Sequence, residues 1–238
     1  MSPSIRLYVN IPLGPGEVAE ASPGQAHYLR DVMRCRTGAE VRLFNGRDGE
    51  WSARITSLGP RRGSIEAEAL VRAQQPEPDV WLCFAPLRRD MTELVVQKAT
   101  ELGASRICAV LTGRTEHRRV NLERWRAIAT EAAEQCERLT LPELPEPVRF
   151  TDLLGNWPKD RALLACLEWS DAPMLASVPP PAALLVGPKG GFAPEEREAI
   201  ARLARPVSLG SRVLRAETAA IAGLAVLLLP LAAPRADP

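Results

Sequence analysis

Two glycine-containing stretches late in the chain carry the residue types that most clearly suggest ligand chemistry. Residues 184–196 read LLVGPKGGFAPEE, and residues 207–220 read VSLGSRVLRAETAA. Each stretch begins as an apolar run, turns at glycine and continues into a helix start, and glycine lets a backbone approach a ligand closely. The second stretch adds Arg212, Arg215 and Glu217 as candidate ligand-facing charges. The alternative for Arg215 and Glu217 is a surface ion pair at a helix start.

Neither stretch matches a common phosphate-binding loop. A P-loop places Ser or Thr directly after its Lys, and a dinucleotide loop spaces its glycines as G-x-G-x-x-G. Here Lys189 is followed by Gly190, Gly191 and Phe192. One interpretation is therefore a tight strand-to-helix turn without a ligand. The other is a single crevice formed by both loops, since ligands bind at the carboxyl ends of strands in parallel sheets.

The elements that must position these loops follow an α/β rhythm. Apolar runs at 80–85, 106–111, 161–167 and 182–186 are typical of strands buried on both faces. Between them we expect helices begun by Asp90 and Glu93 as a capping box, by Asn121 and by Pro194. A last helix is expected from about Thr218 to Leu229. The alternation predicts an α/β domain with a mostly parallel sheet.

The N-terminal part has a different pattern. Residues 41–56 predict a hairpin, with VRLF and EWSARIT joined by the turn NGRDG, and SIEAEALVR alternates as a further strand. The segment GQAHYLRDVMR predicts one short helix with Tyr28, Val32 and Met33 on one side. We therefore expect a small β-barrel at 1–73, a proline-containing linker at 74–79 and the α/β domain at 80–238.

Composition limits the class of protein and of site. The 238 residues are 46% hydrophobic with a net charge of +1, which fits a soluble globular protein and does not by itself indicate a nucleic-acid partner. Five scattered Cys and two His make a zinc site unexpected and favour free thiols in a reducing cytosol. The most apolar segment, Ala219–Leu229, is about half the roughly 20 residues that span a bilayer. We expect a buried helix there, no membrane partner and a cytoplasmic protein.

The chain resembles a known family at several motifs in the same order. GPKGGF followed by LGSRVLRAETAA is similar to the paired C-terminal motifs of the RsmE-type 16S rRNA uracil-N3 methyltransferases, which belong to the SPOUT class. QKATELG at 97–103 and RWRAIATEAAEQCERLTLPEL at 124–144 resemble two further family segments, and HYLRDVMRCRTGAEVRLFNG resembles its opening barrel. The resemblance covers nearly the whole chain.

The resemblance implies a PUA-like N-terminal β-barrel that contacts rRNA and a C-terminal methyltransferase domain with a trefoil knot. It implies a homodimer that binds S-adenosylmethionine and methylates uracil N3 in 16S rRNA, near the decoding centre of the small ribosomal subunit. The cofactor residues it implies are Leu185, Val186, Gly187, Gly190, Gly191, Leu209, Gly210, Ser211, Val213 and Leu214.

In that role Glu217 accepts the N3 proton and Arg215 stabilises negative charge on the uracil oxygens. A helix cap is the alternative for Glu217. Candidate RNA contacts are Arg30, Arg34, Arg36, Arg114 and Arg118, against the alternative of a solvated charged face.

Two positions depart from the family pattern. Lys189 and Gly113 stand where the family usually has acids, so both departures remove negative charge. Two other functions remain open at this point. One is a SPOUT enzyme that modifies another position, such as a ribose 2′-oxygen in rRNA or tRNA. The other is an RNA-binding assembly factor without catalytic activity.

Overall fold

A computed structural model describes residues 5–167 and 171–231. The terminal residues of both predicted domains, 1–4 and 232–238, therefore lie outside the described residues, as do residues 168–170. The chain divides into two compact units. One consists of residues 1–76 with residues 133–141, and the other of residues 77–132 with residues 142–238.

The first unit is built on a five-stranded sheet. Its strands are β1 (Arg6–Tyr8), β2 (Val18–Ala21), β3 (Glu40–Phe44), β4 (Glu50–Leu58) and β5 (Gly63–Arg72). The order across the sheet is β1-β3-β4-β5-β2, with β1 parallel to β3 and the other pairs antiparallel. The predicted hairpin is confirmed, since Val41 of β3 pairs with Ala53 of β4. Alternating side chains such as Leu43, Ile55 and Ile65 form the core of this unit.

The short N-terminal helix is confirmed, but Val32 and Met33 do not belong to its buried face. Helix α1 (Pro23–His27) passes into one π-helical turn at Tyr28–Val32, where the Met33 amide donates to the Tyr28 carbonyl at 2.9 Å. A π turn shifts later side chains around the helix axis relative to an α-helix. Consequently Val32 and Met33 are 58% and 41% exposed, and the buried residues are Ala26 and Leu29.

Residues 133–141 pack within the first unit through Arg6. The buried Arg6 guanidinium donates to the carbonyls of Ala133 at 2.7 Å and Arg138 at 2.9 Å, and its Nε pairs with Glu50. It also lies 4.4 Å from the centre of the Phe44 ring. One buried cation thus fixes this late segment to the first strand, since an unpaired buried charge would be costly.

The second unit is an α/β fold with a parallel six-stranded sheet. Its strands are β6 (Val80–Phe84), β7 (Arg106–Leu111), β8 (Val148–Arg149), β9 (Ala162–Cys166), β10 (Ala182–Val186) and β11 (Arg205–Val207), in the order β11-β9-β10-β6-β7-β8. The helices are α2 (Arg89–Leu102), α3 (Leu122–Cys136), α4 (Phe150–Gly155), α5 (Pro194–Leu203) and α6 (Ala216–Leu228). The predicted α/β class and parallel sheet are confirmed.

Helix boundaries follow local signals, with one exception. Gly103 ends α2 in the left-handed conformation at φ 98°, and the Asn121 side chain accepts from the Arg124 amide at 3.0 Å at the start of α3, as predicted. The predicted capping box at Asp90 is wrong. Arg88 is the N-cap residue of α2, and Asp90 lies inside the first turn, where it pairs with Arg88 at 2.8 Å.

The expectation of a buried last helix holds for only one face of α6. Residues of this face pack on the sheet, and Gly223 lies so close to Leu184 of β10 that a Cβ would come within 2.6 Å of it. The opposite face is half-buried or exposed: Ile221, Ala222, Ala225 and Val226. In the described parts of the chain, no helix combines the length and hydropathy that crossing a membrane requires.

Candidate functional site

Three strand ends meet at a cavity of about 220 Å³ in the second unit. In the register of the sheet, Cys166 at the end of β9 pairs with Val186 at the end of β10 and with Val207 at the end of β11. All three residues line the cavity. The crevice predicted at the carboxyl ends of parallel strands therefore has a physical counterpart.

Most of the cofactor residues implied by the resemblance line this first cavity. They are Val186, Gly187, Gly191, Leu209, Gly210, Ser211, Val213 and Leu214. Gly190 lines a second cavity instead. The Leu185 side chain is fully buried in an apolar cluster with Phe192 and Ile200, so it does not line either cavity.

Glycine is required for different structural reasons at different positions of the first loop. A Cβ at Gly187 would come within 2.9 Å of the Phe192 ring, so the ring needs a bare backbone beside it. Gly190 and Gly191 have φ values of 84° and 72°, and Gly210 of the second loop has 115°. Side chains other than glycine are strained in this region. Both loops therefore adopt these turns without strain because glycine occupies the three positions.

A second cavity of about 530 Å³ adjoins the first. The two share lining residues, among them Pro188 and Leu214. The charged and titratable groups that line the second cavity are Arg88, Arg114, Glu116, His117, Lys189, Arg215 and Glu217. Four cations facing two carboxylates make this cavity suited to an anionic or electron-rich ligand.

Arg215 and Glu217 stand at the entry of α6. Arg215 is the N-cap residue, and its side chain makes no capping hydrogen bond in the described structure. Glu217 lies in the first helical turn, and within the described residues its carboxylate has no hydrogen bond or ion pair. The pKa of the Arg88 guanidinium is raised mainly by its hydrogen bond to Asp90, with a smaller contribution from the charge of Glu217. Glu217 is thus not held as a helix cap, and its charge reaches Arg88.

The loop after β7 brings Arg114 to the second cavity. Its guanidinium donates to the Gly190 carbonyl at 2.7 Å, which joins this loop to the glycine loop. Arg118 is exposed and donates to the Thr112 carbonyl at 3.1 Å. Of the two, only Arg114 lines the cavity.

The other predicted RNA contacts lie in the first unit. Arg30 is paired with Asp31 at 2.8 Å, whereas Arg34 and Arg36 are exposed in the segment that follows the π turn. All three belong to one short stretch of surface near the end of α1.

Sequence reasoning missed several groups at the site. His117 lines the second cavity together with Arg88 and Glu116. Cys166 lines the first cavity, and burial raises the pKa of its thiol to about 12, which keeps it protonated. Glu196 is buried, and its carboxylate accepts from the amides of Gly113 and Ala193. The position of Glu196 in a Pro-Glu-Glu helix start was the only local signal for it.

The first cavity fits the adenosine part of S-adenosylmethionine and the carbon chain beside its sulfonium group. That molecule carries no phosphate, so it needs apolar walls and exposed backbone rather than a phosphate cradle. Val186, Leu209 and Leu214 supply apolar surface, and the glycines supply backbone. Over residues 5–167 and 171–231, no cluster of His, Cys, Asp and Glu is arranged to hold a metal ion.

Two family descriptions match the two parts of the chain. An RNA methyltransferase domain matches residues 74–228, and an RNA methyltransferase PUA domain matches residues 22–68. The class defined by the parallel sheet and its crevice is therefore that of RNA methyltransferases.

Relatives identify the family within that class. The ribosomal RNA small subunit methyltransferase E of Rickettsia conorii is 32% identical, over 92% of this chain and 93% of the relative. That of Synechocystis is 34% identical, over 94% and 78%. The chain belongs to the family of these ribosomal RNA small subunit methyltransferases E.

Solved structures agree with this membership. A methyltransferase from Legionella pneumophila, solved with bound S-adenosylmethionine, aligns at a TM-score of 0.85 with 30% identity, over 96% of this chain and 98% of the other. The methyltransferase E of Neisseria gonorrhoeae, also bound to S-adenosylmethionine, aligns at 0.85 with 27% identity, over 94% and 96%.

Proposed function

We propose that the chain transfers a methyl group from S-adenosylmethionine to N3 of a uracil in 16S rRNA, near the decoding centre of the small ribosomal subunit. The observation that carries this proposal is the pair of adjoining cavities. One is apolar and glycine-lined, and the other is lined by arginines and Glu217. The relatives, which are small-subunit rRNA methyltransferases, support rRNA as the substrate class.

The cofactor is assigned to the first cavity. Gly187, Gly191 and Gly210 expose backbone to the adenosine, and Val186 and Leu209 pack against its apolar parts. When bound, S-adenosylmethionine supplies a methyl group on a positively charged sulfur, which is a strong electrophile. The chain's contribution is then mainly alignment of the target atom with that methyl group, because methyl transfer depends on the approach geometry.

The uracil is assigned to the second cavity, where the charges suit its chemistry. N3 carries a proton at neutral pH and becomes nucleophilic only when that proton leaves. The Glu217 carboxylate accepts the proton, since it faces the cavity and is not held by another group of the described structure. Arg215, on the same cavity wall, stabilises the negative charge that then develops on the uracil oxygens.

The N-terminal unit is assigned to RNA binding. The PUA match at residues 22–68 includes Arg30, Arg34 and Arg36, and Arg34 and Arg36 are exposed. Arg114 and Arg118 add a second basic group in the methyltransferase unit. Cations on RNA-binding surfaces act mainly on phosphates.

For the domain limits we propose a β-barrel at 1–73, a linker at 74–79 and the methyltransferase domain at 80–238. We also propose a cytoplasmic location.

A homodimer and a trefoil knot complete the proposal. The outward stripe of α6, which is half-buried or exposed, is apolar throughout: Ile221, Ala222, Ala225 and Val226, with exposed Leu229 directly after the helix. An apolar helical stripe needs a partner, and a second copy of this chain is the one that the family resemblance implies.

For the knot we infer that the loops flanking the first cavity, at 187–193 and 208–215, belong to the knotted segment.

Purified chain, methyl-labelled S-adenosylmethionine and small-subunit rRNA from cells that lack the chain provide the test. Nucleoside digestion of the product is expected to give 3-methyluridine. A labelled methyl group on a ribose 2′-oxygen would show that the chain methylates ribose and not uracil N3. Failure of the purified protein to bind S-adenosylmethionine in calorimetry would instead favour an RNA-binding factor without catalysis.

A further inference from the structure

A buried carboxylate links the glycine loop to the loop that carries Arg114. Glu196 lies in the first turn of α5 and is only 8% exposed. Its Oε2 accepts from the Ala193 amide at 2.9 Å, and its Oε1 accepts from the Gly113 amide at 2.7 Å. One side chain thus holds backbone groups that are 80 residues apart in sequence.

The Gly113 side of this link is itself rigid. The Thr112 amide donates to the Thr115 hydroxyl at 2.9 Å, the two hydroxyls lie 2.9 Å apart, and both threonines are buried. Arg114 projects from this turn and donates to the Gly190 carbonyl. Two hydrogen bonds, from Gly113 to Glu196 and from Arg114 to Gly190, therefore connect the same two loops.

The glycine loop at 187–193 faces both cavities, whereas the turn that carries Arg114 faces only the second. Gly191 and Phe192 line the first cavity, which is assigned to the cofactor, and Arg114 lines the second, which is assigned to the uracil. A ligand that fixes the position of the 187–193 loop consequently also fixes the position of the Glu196 carboxylate and, through it, of the turn that presents Arg114.

We propose that Glu196 is a positioning residue that couples cofactor binding to RNA binding in this chain. The inference rests on the proposed function, because it takes the two cavities as cofactor and RNA sites. Coupling between sites is reciprocal, so a bound cofactor tightens RNA binding by the same factor as bound RNA tightens cofactor binding. Arg114 is the residue of the proposed RNA site whose position changes when the cofactor binds.

The geometry calls for a carboxylate. Both oxygens accept from backbone amides, and an ionised carboxylate has acceptors on both sides. A glutamine has one acceptor oxygen and one NH₂ group. In E196Q, one of the two backbone amides therefore faces the side-chain NH₂ group, which cannot accept its hydrogen bond. Buried donors without an acceptor are costly, and the loops separate as a result.

The test compares RNA affinity with and without S-adenosylhomocysteine, which is what S-adenosylmethionine becomes after it gives up its methyl group. Small ribosomal subunits from cells that lack the chain are titrated with the full-length protein, in the absence and presence of saturating S-adenosylhomocysteine. We expect the affinity of the wild type to rise by about fivefold or more with S-adenosylhomocysteine. For E196Q we expect a ratio within about twofold of unity. E195Q removes an exposed carboxylate from the same helical turn and keeps the wild-type ratio.

Amide hydrogen exchange supplies a readout that is independent of activity. Peptides covering residues 111–117 exchange faster in E196Q than in the wild type, and those covering β6 do not. A coupling ratio in E196Q equal to that of the wild type would overturn the inference and leave the proposed function intact.

Failure of the proposed cofactor site has a different signature, since the wild type itself would then not bind S-adenosylhomocysteine. Should E196Q not fold, E196D is measured in the same way. Its shorter carboxylate loses one of the two contacts, so a reduced ratio is expected and an unchanged ratio contradicts the coupling.

Discussion

The ring of Phe192 lies against the α-carbon of Gly187, where a Cβ would come within 2.9 Å of the ring atom Cε2. Both residues line the first cavity, and Phe192 is 2% exposed. The end of β10 and the start of α5 are therefore fitted to each other at the cavity wall, and any side chain at position 187 displaces one of them.

Gly187→Ala is expected to weaken S-adenosylmethionine binding by tenfold or more. Because the added methyl group forces the ring or the strand end to shift, overpacking should also lower the free energy of unfolding by about 1–3 kcal/mol. Calorimetry and urea unfolding measure the two effects. Gly155→Ala is the control, since a Cβ there has no heavy atom within 4 Å. Unchanged cofactor affinity in Gly187→Ala would place the cofactor elsewhere.

Glu217→Gln tests the proton acceptor. The substitution keeps the size of the side chain and removes its basicity, so methylation should slow by about 10²–10⁴-fold while cofactor affinity changes little. Single-turnover methylation and calorimetry separate these quantities. Glu116→Gln, on the wall of the same cavity, should slow methylation much less. Equal losses of rate and cofactor affinity in Glu217→Gln would make Glu217 structural.

Lys189 provides a test of the charge of the second cavity. If its ammonium contacts an RNA phosphate, Lys189→Gln should weaken RNA binding and make the plot of log affinity against log salt about one unit less steep. Lys159→Gln removes the same charge from an exposed turn of the same unit and should leave the slope unchanged. Identical slopes for the wild type and Lys189→Gln would exclude Lys189 from the RNA contact.

The exposed face of α6 tests the homodimer. A charge at its centre, Val226→Glu, should raise the dissociation constant of the dimer at least tenfold, because it would be buried unpaired in the interface. Sedimentation velocity across a concentration series measures this. Leu203→Glu on α5 replaces a residue of similar exposure and should not change association. A wild-type protein that sediments as a monomer at all concentrations would contradict the proposed homodimer.

The sequence predicted those parts of the fold that local chemistry determines. Four strands of the second unit, β6, β7, β9 and β10, follow from short apolar runs, and β8 has no such run. The end of α2 follows from Gly103 and the start of α3 from Asn121. The π turn after α1 was not predictable, since the helical pattern of GQAHYLRDVMR is the same for either helix type. The position of residues 133–141 in the first unit depends on Arg6, more than 120 residues earlier, and no local pattern encodes that contact.

The site was predicted in part for the same reason. The glycine loops and the Arg215–Glu217 segment are contiguous in sequence, so their motifs could be recognised. Arg88, Glu116 and His117 reach the second cavity from loops after other strands, and only the strand order β10-β6-β7 brings them there. Glu196 acts through a backbone amide of Gly113, which leaves no signature at position 113.

Mass spectrometry of 16S rRNA from cells with and without the gene tests the central claim most directly. The account predicts one 3-methyluridine that disappears on deletion, returns with the wild-type chain and does not return with Glu217→Gln. A 16S rRNA with the same modified nucleosides in both strains would contradict it.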